Sequence, residues 1–404
     1  MVITIEKKDN NVLPPLSERN SLIRWLRKNL FKTWYDSLMT IFGVGIIFFI
    51  LKLIIKWSSV ARWDVIVANL RILLVGSYPK DQIWRLWLCL ILLFVILGLS
   101  LGGRLKTKKK IFYELTLVPV VFALFPFSFI VRMYFLGLTL ALLIGFFLSR
   151  CFVRILQRNT VLFLFWLLYI PFVLLIIAGL PLNNGFLPIV PSHLWGGLLL
   201  SLIIAIISIL VSFPIGLFLA LGRRSKLPVI SIFSTIIIEG IRGVPMITLL
   251  FIGYLILPLF LPSYVSLSVL VRAMAGITIF HGAYMAENIR AGLQAIPKTQ
   301  YEASYALGFN KFLTMVLVIL PQSLRAIIPI LVNSFTGMIK DTSLVSIVGL
   351  LDLVGISTAI GANPDYFGTQ REVLLFISSL YFILCYSLSK ASIQVEKSLG
   401  VGER

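Results

Sequence analysis

Two pairs of charged residues stand inside apolar stretches of this sequence, where a charge is costly. Glu239 and Arg242 are three positions apart, which places them on one face of a helix. Lys340 and Asp341 are adjacent, so they point apart on a helix and need different partners. Each pair either lines a path for a charged solute or fixes contacts between helices. The residues alone leave both interpretations open.

A third candidate is the short polar stretch PKTQYEASYALGF, residues 297–309, which interrupts the apolar sequence. Thr299 followed by Glu302 fits a capping box, in which each side chain binds the backbone amide of the other residue. Ala303 favours a helix, and Gly308 is placed to end it in a left-handed conformation. The stretch predicts a helix of about two turns, too short to span a membrane. Such a helix either docks on another protein or lies on the membrane surface.

Patterns typical of catalysis and metal binding are missing from the sequence. It has no G-x-x-x-x-G-K followed by Ser or Thr, so ATP binding by a phosphate loop is excluded. No Ser/His/Asp or Cys/His set is legible, and His193 and His281 are far apart. The cysteines lie in or beside apolar runs and are interpreted as small buried residues; they are Cys89, Cys151 and Cys385. We therefore expect no enzyme, no metal site and no cofactor bound by this chain.

The elements that position these residues must lie in lipid. The chain has 404 residues, of which 59% are hydrophobic and 13% charged, whereas soluble domains carry about 25% charged residues. Such a chain cannot cover itself with polar surface, so we predict an all-α polytopic membrane protein. The net charge of +20 fits basic cytoplasmic loops better than a nucleic-acid partner, which we do not expect.

Apolar runs of spanning length predict about ten transmembrane helices. Their approximate bounds are 36–57, 83–103, 112–130, 133–150, 160–180, 194–221, 229–261, 264–286, 322–350 and 371–389. The run 229–261 contains Gly240, Gly243 and Pro245, and a proline beside glycines predicts a break in that helix. Broken helices at membrane depth expose backbone groups that can bind a solute.

The positive charges favour one orientation, because basic loops stay in the cytoplasm. With both termini cytoplasmic, the basic segments 104–110 and 223–226 fall on the inner side. Segments 180–193 and 352–370, which contain no Lys or Arg, fall on the outer side. The basic, amphipathic segment 58–82 is the exception, and we predict that it lies on the outer interface.

Composition also divides the chain at about residue 190. The five predicted spans before it contain few charged residues, and the five after it contain Gly, Pro and ionisable residues at membrane depth. The predicted parts are a cytoplasmic segment 1–35, a membrane scaffold of about five helices 36–190, a core 191–391 that includes helix 297–309, and a cytoplasmic tail 392–404.

Region 302–321 resembles the EAA motif of ABC importer permeases. The spacing of its EAS triplet, of Gly308 and of the final Leu-Pro pair matches the motif throughout. Ser304 replaces the second alanine, and Val318 replaces an isoleucine. In that family the loop is the coupling helix, which sits in a cleft of the cytoplasmic ATPase. The resemblance implies that the coupling residues are Thr299, Tyr301, Glu302, Ala303, Ser304 and Gly308.

Longer segments extend the resemblance. Segments 238–251, 283–309 and 338–350 are similar to the matching parts of polar amino-acid permeases. Segments 21–31 and 74–85 resemble the M-type permease of general L-amino-acid transporters. The resemblance implies a C-terminal five-helix core of the type I ABC importers.

The same resemblance implies a permease subunit of an ATP-driven amino-acid importer in the bacterial cytoplasmic (inner) membrane. Its implied partners are two cytoplasmic ATPase subunits that bind ATP and Mg, a second permease that completes a heterodimer, a periplasmic substrate-binding protein, the amino acid and membrane lipid. Few acidic residues lie in the spans of the C-terminal half, so neutral and polar L-amino acids are the expected substrates. The alternatives are an ion-coupled transporter that uses Asp341, and a structural subunit whose partner alone shapes the path.

A zwitterionic amino acid needs groups of both signs. We hypothesise that Asp341 contacts its ammonium group and that Arg242 contacts its carboxylate. The alternative is that these residues only fix helix contacts. The candidate path residues are Glu239, Arg242, Lys340, Asp341, Thr342 and Ser343.

Overall fold

The computed structural model describes residues 26, 29–102, 105–124, 128–156, 159–180, 187–262 and 264–399. The helices of the first half are α1 (Trp34–Val60), α2 (Asp64–Val75), α3 (Trp84–Gly102), α4 (Leu105–Leu124), α5 (Phe129–Cys151), α6 (Val153–Leu156) and α7 (Asn159–Ala178). Those of the second half are α8 (Gly197–Arg223), α9 (Pro228–Arg242), α10 (Met246–Phe260), α11 (Val269–Gln294), α12 (Lys298–Ala306), α13 (Lys311–Val348), α14 (Leu353–Gly361) and α15 (Gln370–Leu399).

The all-helical membrane fold is confirmed. Within the described residues, eight helices are long and apolar enough to cross a membrane, and the pair α9 and α10 makes a ninth if it counts as one span. The predicted span 112–130 falls on α4, whose apolar part, Ile111–Leu124, is shorter than the other spans. The predicted break is confirmed as well, because α9 ends at Arg242 and α10 begins at Met246 with a bend of 106° between them.

Helix α1 belongs to a unit of its own, which ends at Trp63. Its first turn is capped by Thr33, whose Oγ1 accepts a hydrogen bond from the Asp36 amide at 3.3 Å. The helix is apolar on all sides, and none of its side chains is buried. A helix of this kind is stable only in an apolar surrounding, which indicates a membrane span.

The second unit, Asp64–Arg404, is held together by three hydrophobic clusters. The first joins α3 and α7 to α8, α10, α11 and α13, so it packs residues from both sides of residue 190. The second lies where α8, α9 and α11 meet the start of α13. The third packs the amphipathic helix α2 against α14 and α15. The predicted division at about residue 190 stays a prediction.

Helices α3 and α5 approach each other closely because both carry glycine at their crossing. A Cβ atom on Gly98 would stand 2.2 Å from the Leu142 carbonyl oxygen, and one on Gly145 would stand 2.2 Å from the Val95 carbonyl oxygen. Small residues of this kind allow membrane helices to pack backbone against backbone.

A buried arginine fixes the end of α7. The Arg85 side chain has no exposed surface, and its Nη1 donates to the carbonyl oxygens of Pro188 at 3.0 Å and Ile176 at 3.4 Å. The Tyr78 hydroxyl donates to the Ile177 carbonyl at 2.9 Å. A cation beside the last carbonyls of a helix is favoured by the helix dipole.

Asp352, between α13 and α14, is fully buried and caps α14. Its carboxylate accepts hydrogen bonds from the amides of Gly355 at 2.9 Å and Val354 at 3.3 Å. Burial nevertheless raises the pKa of this carboxyl from 3.8 to about 6, because loss of solvation outweighs those hydrogen bonds.

The raised pKa predicts a pH-dependent stability. The folded state binds the Asp352 proton more tightly than the unfolded state, so this contribution is complete below pH 3.8 and is lost as the pH rises through about 6. A shift of this size corresponds to about 3 kcal/mol. We expect the melting temperature of the purified protein in detergent to fall between about pH 4 and pH 6.5. Asp352→Asn keeps the cap and should flatten that fall; an identical pH profile for both proteins would contradict the prediction.

Candidate functional site

The polar stretch 297–309 folds as the short helix α12, which begins at Lys298. Its N-cap is Pro297, without a side-chain hydrogen bond, and the first turn closes between the Gln300 amide and the Pro297 carbonyl at 3.1 Å. The predicted capping box is therefore wrong. Because the helix starts two residues earlier than that motif requires, Thr299 lies inside the first turn and cannot cap it.

The predicted helix end is confirmed. Gly308 has a φ of 83°, the left-handed conformation that glycine adopts without strain. The Phe309 amide donates to the Ser304 carbonyl at 3.1 Å, and the Gly308 amide donates to the Tyr305 carbonyl at 3.0 Å. This pair of bonds is the Schellman motif, which satisfies the last carbonyls of the helix.

One face of α12 is fastened to its neighbours. Ser304 is buried; its Oγ donates to the Tyr301 carbonyl at 2.8 Å and lies 3.1 Å from Oγ1 of the buried Thr314, in α13. Gln322 Nε2 donates to Gln300 Oε1 at 3.2 Å. The serine that departs from the motif thus supplies a buried hydrogen bond between α12 and the π-helical first part of α13, Thr314–Ile319.

The opposite face of α12 is exposed. Leu307 is 76% exposed and Tyr305 is 46% exposed, although both are large and apolar or aromatic. Four residues of the predicted coupling set are exposed as well: Thr299, Glu302, Ala303 and Gly308. A Cβ atom on Gly308 would meet no atom within 4 Å. A helix with one face bonded to its own chain and the opposite face exposed can dock in a groove of another protein.

Glu239 and Arg242 lie at the end of α9 and belong to a larger ionic network. Arg242 Nη1 is 3.5 Å from Glu239 Oε2, so the two residues pair as their spacing suggested. Glu239 Oε1 also accepts a hydrogen bond from Arg223 Nη1 at 2.7 Å. The same Arg223 atom is 3.4 Å from Glu287 Oε2, and Arg290 donates to both oxygens of Glu287. The network joins α8, α9 and α11.

Asp341 lies elsewhere, at the end of the α-helical part of α13. Its Oδ2 is 3.2 Å from Nε2 of His281, which is buried in α11. The Asp341 side chain is 38% exposed, and Lys340 is exposed. Thr342 is buried and bonds to the Ile339 carbonyl at 2.8 Å, while Ser343 is partly buried.

Aromatic rings of α11 lie between these two groups. The Arg242 guanidinium carbon is 5.5 Å from the centre of the Tyr284 ring, and Tyr284 is in contact with Phe280 at 4.9 Å between centroids. Phe280 is next to His281, the partner of Asp341. Two of the predicted path residues, Arg242 and Asp341, are thus connected through side chains of α11. Within the described parts of the chain, no group of His, Cys, Asp and Glu side chains could hold a metal ion.

Comparison with known proteins decides the family. Residues 212–395 match the model of the binding-protein-dependent transport system inner membrane component. The chain is 34% identical to an inner membrane amino-acid ABC transporter permease protein of Escherichia coli, over 94% of this chain and 93% of that protein.

The chain belongs to this family of ABC importer permeases.

A second relative agrees. The permease is 35% identical to the glutamate/glutamine/aspartate/asparagine transport system permease protein of Rhodobacter capsulatus, over 93% of each chain. A crystal structure of an amino acid ABC transporter with histidines shares 31% identity, covers 49% of the permease and 90% of that chain, and superposes with a TM-score of 0.44. The permease is therefore a multi-pass inner-membrane subunit of an amino-acid ABC importer, and separate ATPase subunits and a substrate-binding protein complete the transporter.

The sequence did not single out several residues that the permease brings into these groups. His281 meets Asp341 from another helix, and Arg223 was interpreted only as part of a basic loop. Glu287 and Arg290 carried a weak signal, since their i,i+3 spacing allows the pair that the structure shows. Thr314 carried none, because its partner Ser304 is fixed by the fold of the loop between α12 and α13.

Proposed function

We propose that α12 is the coupling helix of this permease and docks in the cytoplasmic ATPase. The observation that carries this proposal is that one face of α12 is hydrogen-bonded to α13 and the opposite face is exposed. Because Ser304 and Gln300 form hydrogen bonds with α13, a displacement of α12 by the ATPase is transmitted directly to α13. ATP and Mg bind to the partner subunits, and both termini of the permease lie on the ATPase side.

We infer that α9, α11 and α13 form a polar face that does not contact lipid. Arg242 and Asp341 have side chains 31% and 38% exposed, and Tyr284 is 38% exposed. A charge facing hydrocarbon costs about 3 kcal/mol even by insertion scales. We infer that this face meets a second, different permease subunit and that the translocation path runs between them, with lipid around the remaining spans.

Within that path, Asp341 contacts the ammonium group of the amino acid and Arg242 its carboxylate. Both side chains are partly exposed, of opposite sign, and connected through Tyr284, Phe280 and His281. Exposed Lys340 supplies a further cation, while Glu239 is held by Arg223 and Arg242. Thr342 and Ser343 shape the helix end beside Asp341.

The substrates are polar L-amino acids, and acidic ones belong among them. The Rhodobacter relative carries glutamate, glutamine, aspartate and asparagine by its name, and it is similar over almost its whole length. The cations of the proposed path, partly exposed Arg242 and exposed Lys340, suit a second carboxylate as well as an amide. This widens the neutral and polar class that the sequence favoured.

Competition for uptake tests the substrate class. The complete transporter, reconstituted with its ATPase, second permease and binding protein, should accumulate labelled glutamate. Excess unlabelled glutamine, aspartate or asparagine should suppress that uptake, and excess lysine or arginine should not. Competition by lysine and arginine alone would contradict the proposed class.

A further inference from the structure

Arg223 is the last residue of α8, and its guanidinium lies between the carboxylates of two other helices. One atom, Nη1, is 2.7 Å from Glu239 Oε1 on α9 and 3.4 Å from Glu287 Oε2 on α11. The Arg223 carbonyl accepts a hydrogen bond from Ser231 Oγ at 2.9 Å, near the start of α9. A single cation therefore ties three helices together at one point.

This point is connected to α12 on one side. Arg224, the next residue, has its Nη2 3.4 Å from the Tyr301 hydroxyl of α12. Tyr301 also packs against the hydrophobic cluster that α8, α9 and α11 share. A displacement of α12 thus reaches the end of α8 through a hydrogen bond and through side-chain packing.

On the other side, the same point is connected to the broken helix. Glu239 bonds to Arg223 and pairs with Arg242, which is the last residue of α9 before the bend of 106°. Arg242 in turn lies against Tyr284 on the polar face. The ionic contacts therefore extend from Arg223, which is next to the residue that contacts α12, to Arg242 at the bend.

The electrostatics depend on Arg223. It is the only described cation within 4 Å of both Glu239 and Glu287. Without it, Glu239 keeps Arg242 and Glu287 keeps Arg290, but among the described residues no salt bridge within 4 Å joins the two pairs. Each half would stay neutralised while the connection between α9 and α11 through α8 would be lost.

We propose that Arg223 is a positioning residue that links α12 to the bend between α9 and α10, so that movement of α12 during ATP hydrolysis shifts this bend and the polar face beside it. The inference rests on the role of α12 as coupling helix. Arg223 transmits movement and does not contact the substrate.

Three variants of the complete reconstituted transporter test this proposal. Arg223→Gln removes the cation, whereas Arg223→Lys keeps one charged donor, which is sufficient because Nη1 alone makes both contacts. Lys226→Gln removes an exposed charge from the same loop and is the matched control. The readout is the number of ATP molecules hydrolysed per amino acid transported, together with stimulation of ATP hydrolysis by the loaded binding protein.

We expect Arg223→Gln to assemble, to hydrolyse ATP, and to raise the ratio of ATP to substrate by about fivefold or more. Arg223→Lys and Lys226→Gln should stay near the unmodified ratio. An unchanged ratio in Arg223→Gln would overturn the proposal, and so would equal defects in Arg223→Gln and Arg223→Lys, which indicate a purely structural role.

A second position keeps the test decisive if Arg223→Gln fails to assemble. Glu239 is half-exposed, so Glu239→Gln removes the negative charge from the same link at little cost to folding. A raised ratio in Glu239→Gln supports the proposal, and an unmodified ratio overturns it. Failure of the coupling role of α12 would give a different result, because Gly308→Asp would then leave uptake intact. If this inference alone fails, Gly308→Asp still abolishes uptake and Arg223→Gln keeps the unmodified ratio of ATP to substrate.

Discussion

Replacing Gly308 by aspartate should reduce the rate of ATP-dependent uptake at least about tenfold, because it places a charge in the contact between α12 and the ATPase. Within this chain the new side chain has room, since a Cβ atom at this position meets nothing within 4 Å. The expected loss therefore arises from the partner, or from the left-handed backbone at a φ of 83°. Recovery of the ATPase with the purified permease and uptake in proteoliposomes measure the effect.

Gly308→Asn separates these two causes. Asparagine has nearly the shape of aspartate and tolerates the left-handed conformation comparably, but it carries no charge. We expect the asparagine variant to retain most of the uptake. Full uptake and full ATPase recovery in the aspartate variant would show that the exposed face of α12 does not contact the ATPase.

Replacing Asp341 by asparagine should reduce uptake by at least about thirtyfold, because the ammonium group of the substrate would lose its ionic partner in a partly desolvated path. His281 would lose its partner as well, since its Nε2 lies 3.2 Å from the carboxylate. The amount of assembled transporter should change little, because the Asp341 side chain is 38% exposed and is not packed in the core. Initial uptake rates, normalised to the amount of complex, measure the effect.

Asp81→Asn is the control for this substitution. Asp81 is exposed in the connection between α2 and α3, and its Oδ2 accepts a hydrogen bond from Nε2 of the neighbouring Gln82 at 2.9 Å. Uptake by this variant should match the unmodified transporter. Unimpaired uptake by Asp341→Asn would remove Asp341 from the path, whereas loss of the complex would assign it to helix contacts.

The sequence predicted features that depend on local chemistry. Hydropathy located the spans because the solvent of each helix is lipid. The bend between α9 and α10 followed from Gly243 and Pro245, and the end of α12 followed from Gly308, because these residues act on their own backbone. The capping box failed because the N-cap of the helix is Pro297, two residues earlier, and helix starts that differ by two residues look alike in sequence.

The contacts between helices were not predictable in the same way. Arg223 meets residues that are 16 and 64 positions away, and His281 is 60 positions from Asp341. Such distances carry no local periodicity, so only the packing of α8, α11 and α13 defines them. The hydrogen bond between Ser304 and Thr314 spans only ten residues, yet it depends on the fold of the intervening loop. In the sequence, the one sign of this hydrogen bond is that serine replaces alanine at position 304 of the motif.

The central claim is that α12 transmits the action of the ATPase to this permease. The most direct measurement introduces a photo-cross-linking amino acid at Ala303, on the exposed face of α12, in the complete transporter. The same amino acid at Val67, which is 78% exposed on α2, is the control. We predict that irradiation joins the permease to the ATPase from position 303, in a yield that changes when ATP is added. A yield from 303 no greater than that from 67, with or without ATP, would contradict the account.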